Sequence, residues 1–180
     1  MNRINAVEYS TATTEQKALL DAIQAQLGHV PNVLKVFAQS TTALQAVWDL
    51  LGVARAGSLS PQTRERIALA LAQQGSCEYE LAAHTLVGRQ IGLTGNEMAA
   101  NRAGSSEDAK AAVAVELALG LAALQGRITG DDLVLAREAG HSDPDIVEIV
   151  PHVGLSLLIQ MMVNAGCVAT DSATAASKRS

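Results

Sequence analysis

The chain has 180 residues, 48% hydrophobic and 2% aromatic, with a formal net charge of −5. That length can bury a core without disulfide or metal staples, the apolar content excludes a disordered chain, and the lack of any basic cluster excludes nucleic acid as a partner. With so few aromatic residues, Ala and Leu must fill the core, which favours closely packed helices over a sheet.

In chain order, residues 2–13 carry no apolar run and give no export signal. A cytoplasmic location is therefore expected. Helices are then predicted over 14–27, 32–38, 41–56, 61–74, 77–91, 95–103, 107–125, 130–139 and 143–165. Leu20, Ile23 and Leu27 show helical spacing, as do Leu44, Val47, Trp48 and Leu51. Thr13-x-x-Gln16 and Thr94-x-x-Glu97 read as capping boxes. Ser60-Pro61 puts a capping hydroxyl ahead of a proline at the first helical position, and Thr129 and Ser142 each precede an acidic residue by three. The stops are Gly28, Gly57, Gly75, Gly92, Gly104, Gly126, Gly140 and Gly166, read as left-handed helix ends. Pro151 should kink or split the last helix near Val147–Val150.

The fold class expected is all-α: one domain over 1–166, about nine helices, no sheet, and a small polar tail over 167–180 that is disordered. The most apolar stretch, 109–124, contains Glu116 and is shorter than a span of ~20 residues, so no membrane partner is expected. The helices 107–125 and 143–165 are apolar over most of their circumference and need cover on all sides, which predicts a homo-oligomer.

The stretch that could carry chemistry is Gly75-Ser76-Cys77-Glu78-Tyr79-Glu80-Leu81-Ala82-Ala83-His84. With Ser76 as cap, Cys77 falls in the first helical turn, where unpaired N–H groups and the macrodipole favour a thiolate. Cys77, Glu80 and His84 follow i, i+3, i+7 spacing and share one helix face. Glu80 can orient the His84 imidazole and favour its charged form. Glu65, on the preceding helix, can return alongside through the short Gly75-Ser76 turn. Each residue also has a structural reading: Cys77 as core packing, His84 as a satisfied histidine, Glu80 and Glu65 as solvated charges. The set could supply metal ligands, but its spacing is not a zinc signature, and neither metal nor cofactor is expected. Cys77 and Cys167, 90 residues apart, are not a disulfide framework.

These residues resemble a known family. Gly28-His29-Val30-Pro31-Asn32-Val33-Leu34-Lys35 is similar to the G-x-x-P-N opening of the alkylhydroperoxidase D / carboxymuconolactone decarboxylase family. The stretch from Leu59 to Gly92, with Glu65, Cys77, Tyr79 and His84, is similar to its core pattern E…C-x-Y-C-x-x-x-H…G-L. Thr129–Gly140 and Ser142–Asn164 resemble its C-terminal helices, and the likeness covers roughly 27–166. The resemblance implies an alkylhydroperoxidase D-like fold and a peroxiredoxin-type thiol peroxidase with a thiol reductant. In it Glu65 is the relay glutamate, Cys77 the first cysteine of a Cys-x-x-Cys pair, and His84 the relay histidine. The chain departs from that pattern at position 80: the second cysteine, which attacks peroxide, is replaced by Glu80. No local disulfide can form, and the carboxylate disfavours a nearby thiolate. Two alternatives follow: a cofactor-free lactone decarboxylase or related acid–base enzyme using Glu65, Glu80 and His84, and a non-enzymatic scaffold with a decayed site.

Overall fold

The computed structural model describes residues 3–171, and among these it has nine α-helices and no strand. They are α1 (Thr14–Leu27), α2 (Asn32–Phe37), α3 (Thr41–Ala56), α4 (Pro61–Gln74), α5 (Glu78–Gln90), α6 (Gly95–Arg102), α7 (Ala109–Ala123), α8 (Gly130–Glu138) and α9 (Asp143–Gly166). The predicted boundaries hold to within two residues because the chain writes its caps locally. Thr13 and Gln16 close a reciprocal capping box, as do Thr129 with Asp132 and Ser142 with Asp145. Ser60 Oγ accepts from the Thr63 N–H at 3.0 Å.

One predicted box forms only by half. Thr94 Oγ1 accepts from the Glu97 N–H at 3.0 Å, but the Glu97 carboxylate turns inward to Arg66, Asn101 and Ser106. The half-buried Arg66 guanidinium holds it in preference to the exposed backbone N–H of Thr94.

Seven of the eight glycine stops divide into two kinds; the eighth, Gly166, is the last helical residue of α9, and Cys167 after it takes the left-handed backbone at φ 52°. Gly28, Gly92, Gly104, Gly126 and Gly140 do take left-handed backbone. Gly57 and Gly75 do not; they leave room for side chains of α9. A Cβ at Gly57 would stand 2.5 Å from Glu148 Oε2, and one at Gly75 would run into the Gln160 amide.

α4 is the central helix, packed against α5, α6, α7 and α9. One core lies between α1, α2, α3 and the C-terminal half of α9, and includes Cys77 and Tyr79. A second joins α4, α7 and α8 to the N-terminal half of α9. α9 is continuous through Pro151 rather than split. It is long and apolar enough by length and composition to cross a bilayer. Its buried side packs on α2, α3, α4 and α7, however, and bears Ser156 and Gln160, both hydrogen-bonded to other helices or to each other. That side of α9 is built as a core face.

The segment after α9 differs from the expected disordered tail as far as Asp171. Val168 is buried against the core, and Asp171 accepts from the Tyr79 hydroxyl at 2.6 Å and from the Asn32 N–H at 2.8 Å. A carboxylate with two donors is worth ordering a short strand of chain for. Residues 172–180 lie outside the described residues.

Candidate active site

Residues 74–78 set the site. Gly75 N–H donates to Leu71 O, Ser76 N–H to Gln73 O and Cys77 N–H to Ala72 O. The last two form a Schellman-type helix end. Ser76 takes the left-handed position, at φ 49°, so it ends α4 rather than capping α5. The N-cap of α5 is Cys77 itself. The predicted register is thus off by one residue, because Gly75 is reserved for Gln160. Gly75→Ala is expected to cost ~1–3 kcal/mol by overpacking and to disturb the hydrogen bonds of Gln160. A urea melt checks it, and an unchanged midpoint would mean that the contact is soft.

Cys77 is 2% exposed. Burial, more than the charges of Glu80 and Glu78, raises its thiol pKa, against the pull of the backbone N–H groups of Glu80 and Tyr79. The thiol is therefore less ionised than a free one, opposite to the activation expected of a helix start. Tyr79, the next residue but one, is structural: its hydroxyl donates to Asp171 and accepts from the Val33 N–H, tying α5 to α2 and the C-terminal segment.

Glu65 and His84 meet. His84 Nδ1–H donates to Glu65 Oε2 at 2.7 Å, with side chains 28% and 18% exposed. The α4–α5 packing brings them together across the Gly75-Ser76 turn. Burial works against a charged imidazole, but the carboxylates of Glu65 and Glu80 outweigh it and outweigh Arg55, so the His84 pKa is raised. With Nδ1 committed to Glu65, Nε2 is left as the working nitrogen.

Glu80 is 4% exposed, and it is not the residue that orients the ring. Its Oε2 accepts from Ser156 Oγ at 3.1 Å, and Gln160 Nε2 donates to Ser156 Oγ at 3.0 Å and to Leu71 O at 3.2 Å. Burial raises the Glu80 pKa, opposed by the His84 charge and by the Gln160 and Ser156 side chains. The position that the cysteine pair would use thus holds a buried carboxyl built into a polar network. Sequence reading missed Ser156 and Gln160; the available signal was two polar residues four apart in the largely apolar C-terminal half of α9. Among the described residues, no three His, Cys, Asp or Glu side chains are grouped to hold a metal ion.

Residues 41–124, covering α3 to α7, match the model of the carboxymuconolactone decarboxylase family. The match covers 84 of the 180 residues, and it is this segment that is similar to the family. No curated protein sequence matches the chain. Solved structures do. A peroxidase-related protein from Silicibacter sp. TM1040 has a TM-score of 0.83 at 22% identity, over 96% of this chain and 92% of that one. An alkylhydroperoxidase AhpD core protein from Ralstonia eutropha JMP134, also peroxidase-related, has a TM-score of 0.85 at 18% identity, over 96% and 94%. The debrominase Bmp8, in complex with 2,3,4-tribromopyrrole, has a TM-score of 0.80 at 12% identity, over 98% and 96%. At these identities the likeness is one of fold: an alkylhydroperoxidase D-like helical core.

Proposed function

We propose that this chain is a cofactor-free acid–base enzyme acting on an enolisable carbonyl compound of the lactone class. The observation that supports this reading is the contrast between a partly open His84–Glu65 pair, in which the carboxylate favours the charged imidazole, and a buried Cys77 in which burial disfavours the thiolate. The His84 imidazolium would hydrogen-bond through Nε2 to the carbonyl oxygen that gains charge when a proton leaves the adjacent carbon, the electrostatic half of enolisation. The test is deuterium exchange at the carbon next to the carbonyl of a butenolide such as α-angelica lactone, in buffered D2O. Protein-dependent exchange is expected, unaffected by Cys77→Ser. Exchange no faster than buffer across a lactone panel, or exchange lost with Cys77→Ser, would overturn it.

The thiol-peroxidase reading stands second, favoured by the placement of Cys77 at the N-cap of α5. It requires an external thiol reductant, since Glu80 occupies the place of a partner thiol. On the acid–base reading, Cys77 is expected to alkylate no faster than an unactivated thiol, while Glu80→Cys should create dithiol-dependent peroxide consumption. Rapid alkylation of the wild-type thiol, with peroxide turnover, would restore the peroxidase to first place.

Assembly and location complete this reading. Val147, Val150, Leu157 and Met161 form an exposed apolar stripe along α9, with Val147 67% and Met161 62% exposed. We expect a second copy of the chain to cover it. Light scattering should give an oligomer that Val150→Glu dissociates; a wild-type monomer at micromolar concentration would count against this. The unpaired thiols Cys77 and Cys167 suit a reducing, cytoplasmic compartment.

A further inference from the structure

Proton abstraction needs a base as well as an acid, and α9 supplies a candidate that the sequence motif does not contain. Glu148, His152, Ser156 and Gln160 follow one another at intervals of four, the spacing of a ridge on a helix surface. Three of the four have mapped partners across the seam. Glu148 Oε2 accepts from the N–H groups of Ser58 and Leu59, at 2.7 and 3.1 Å, just ahead of α4. Ser156 donates to Glu80, one turn before His84 on α5. Gln160 donates to Leu71 O near the end of α4. α9 therefore runs alongside α4 in the same direction. His152 is the step between Glu148 and Ser156, about 6 Å from each along the ridge. That lays it beside the first two turns of α4, which carry Arg64 and Glu65, and its side chain is half-buried there.

We propose that His152 is the second proton-carrying residue of this site: its imidazole removes the proton from the substrate carbon while His84 hydrogen-bonds the oxygen that takes up the charge. The inference rests on the acid–base reading above and names its missing base. The C–H bond breaks, its electron pair forms the enolate, and the proton resides on the His152 ring nitrogen. Return of that proton, or of a deuteron exchanged from solvent, to carbon closes the cycle without any co-reactant.

The charges facing the two histidines fit this division. Burial and Arg64 lower the His152 pKa, opposed by Glu148 and Glu65, so its ring is neutral near pH 7 and can accept a proton. Glu65 and Glu80 favour the charged form of His84 despite burial and Arg55. Two titratable groups pushed apart around one shared carboxylate have the arrangement that separates acid from base.

The test has a structural arm and a catalytic arm. In the first, the ring protons of His84 and His152 are titrated by NMR in the whole protein, with His29 and His141 as internal references. Glu65→Gln should lower both His84 and His152 midpoints by at least several tenths of a pH unit while His29 stays fixed, and Arg64→Gln should raise that of His152. A His152 midpoint indifferent to Glu65→Gln removes it from the site and overturns the proposal, whatever the assays give. In the second, His152→Gln should lower kcat for lactone deuterium exchange ~100-fold or more, as loss of a general base does, with KM little changed. It should also abolish the acid limb of the pH profile and leave the melting temperature and the His84 titration near wild type. Wild-type exchange that His152→Gln leaves intact overturns the base role while the acid–base reading stands. Failure of wild-type exchange itself overturns both.

Discussion

His84→Ala is expected to lower lactone deuterium exchange by ~10²–10⁴-fold, the usual contribution of one positioned proton-transfer group. The loss should fall in kcat. The ring would act on charge that develops during the reaction, so substrate binding should change less. Glu65→Gln should act through the same ring. It keeps the shape but removes the charge that holds the imidazole protonated from 2.7 Å. Because the His84 pKa is raised, the active imidazolium persists above the ordinary histidine range, and the alkaline limb of the wild-type profile should lie above ~6.5. In Glu65→Gln that limb should move to lower pH, leaving more residual activity at pH 6 than at pH 8. Stability follows the same sign. A pKa raised by folding stabilises the native state most below the unfolded histidine pKa, and that contribution disappears as pH rises through the folded value. A His84→Ala enzyme with wild-type kcat, or a profile unmoved by Glu65→Gln, would rule out His84 as the acid.

Glu97→Ala is expected to be the most destabilising single change near this site, at ~3–5 kcal/mol, because it removes a buried carboxylate and leaves the half-buried Arg66 guanidinium without its partner. The Glu97 side chain is 4% exposed and that of Arg66 14%, and they meet at 2.6 Å. Glu97 also accepts from Asn101 at 2.9 Å, Ser106 at 2.6 Å and the Glu107 N–H at 2.7 Å. Burial alone would raise its pKa, but these donors together hold it down at about 2. The carboxylate ties α4, through the residue after Glu65, to α6 and the approach to α7. Its contribution is complete above the unfolded glutamate value of 4.5 and is lost as pH falls from there towards 2. Urea unfolding at pH 7 and pH 3 measures both effects: the gap between wild type and Glu97→Ala should narrow at pH 3. A gap under ~1 kcal/mol at pH 7 would mean that the network is solvated.

Much of the fold was legible because its signals are local. A capping hydroxyl and its partner three residues on meet within one turn, whatever the rest of the chain does, so Thr13, Ser60, Thr129 and Ser142 mark helix starts reliably. Glycine was less clear, since the residue serves two purposes. Gly28 is needed for its backbone, whereas Gly57 and Gly75 are needed for the space they leave to Glu148 and Gln160, residues more than eighty positions away. The misplaced cap at Ser76 has that cause.

The site divides in the same way. The sequence by itself determined the helix order, the single helical class and the stretch from Glu65 to His84, because spacing on one helix and one short turn limits where these residues can go. The tertiary structure decided which contacts are made. Glu65 rather than Glu80 holds the imidazole, since α4 delivers its carboxylate to Nδ1 while Ser156 of α9 claims Glu80. Burial, which depends on every helix around the first turn of α5, turned Cys77 from an activated thiol into a protonated one. His152 enters only through the packing of α9 along α4, and no local pattern around it distinguishes a proton carrier from a polar residue on an apolar helix.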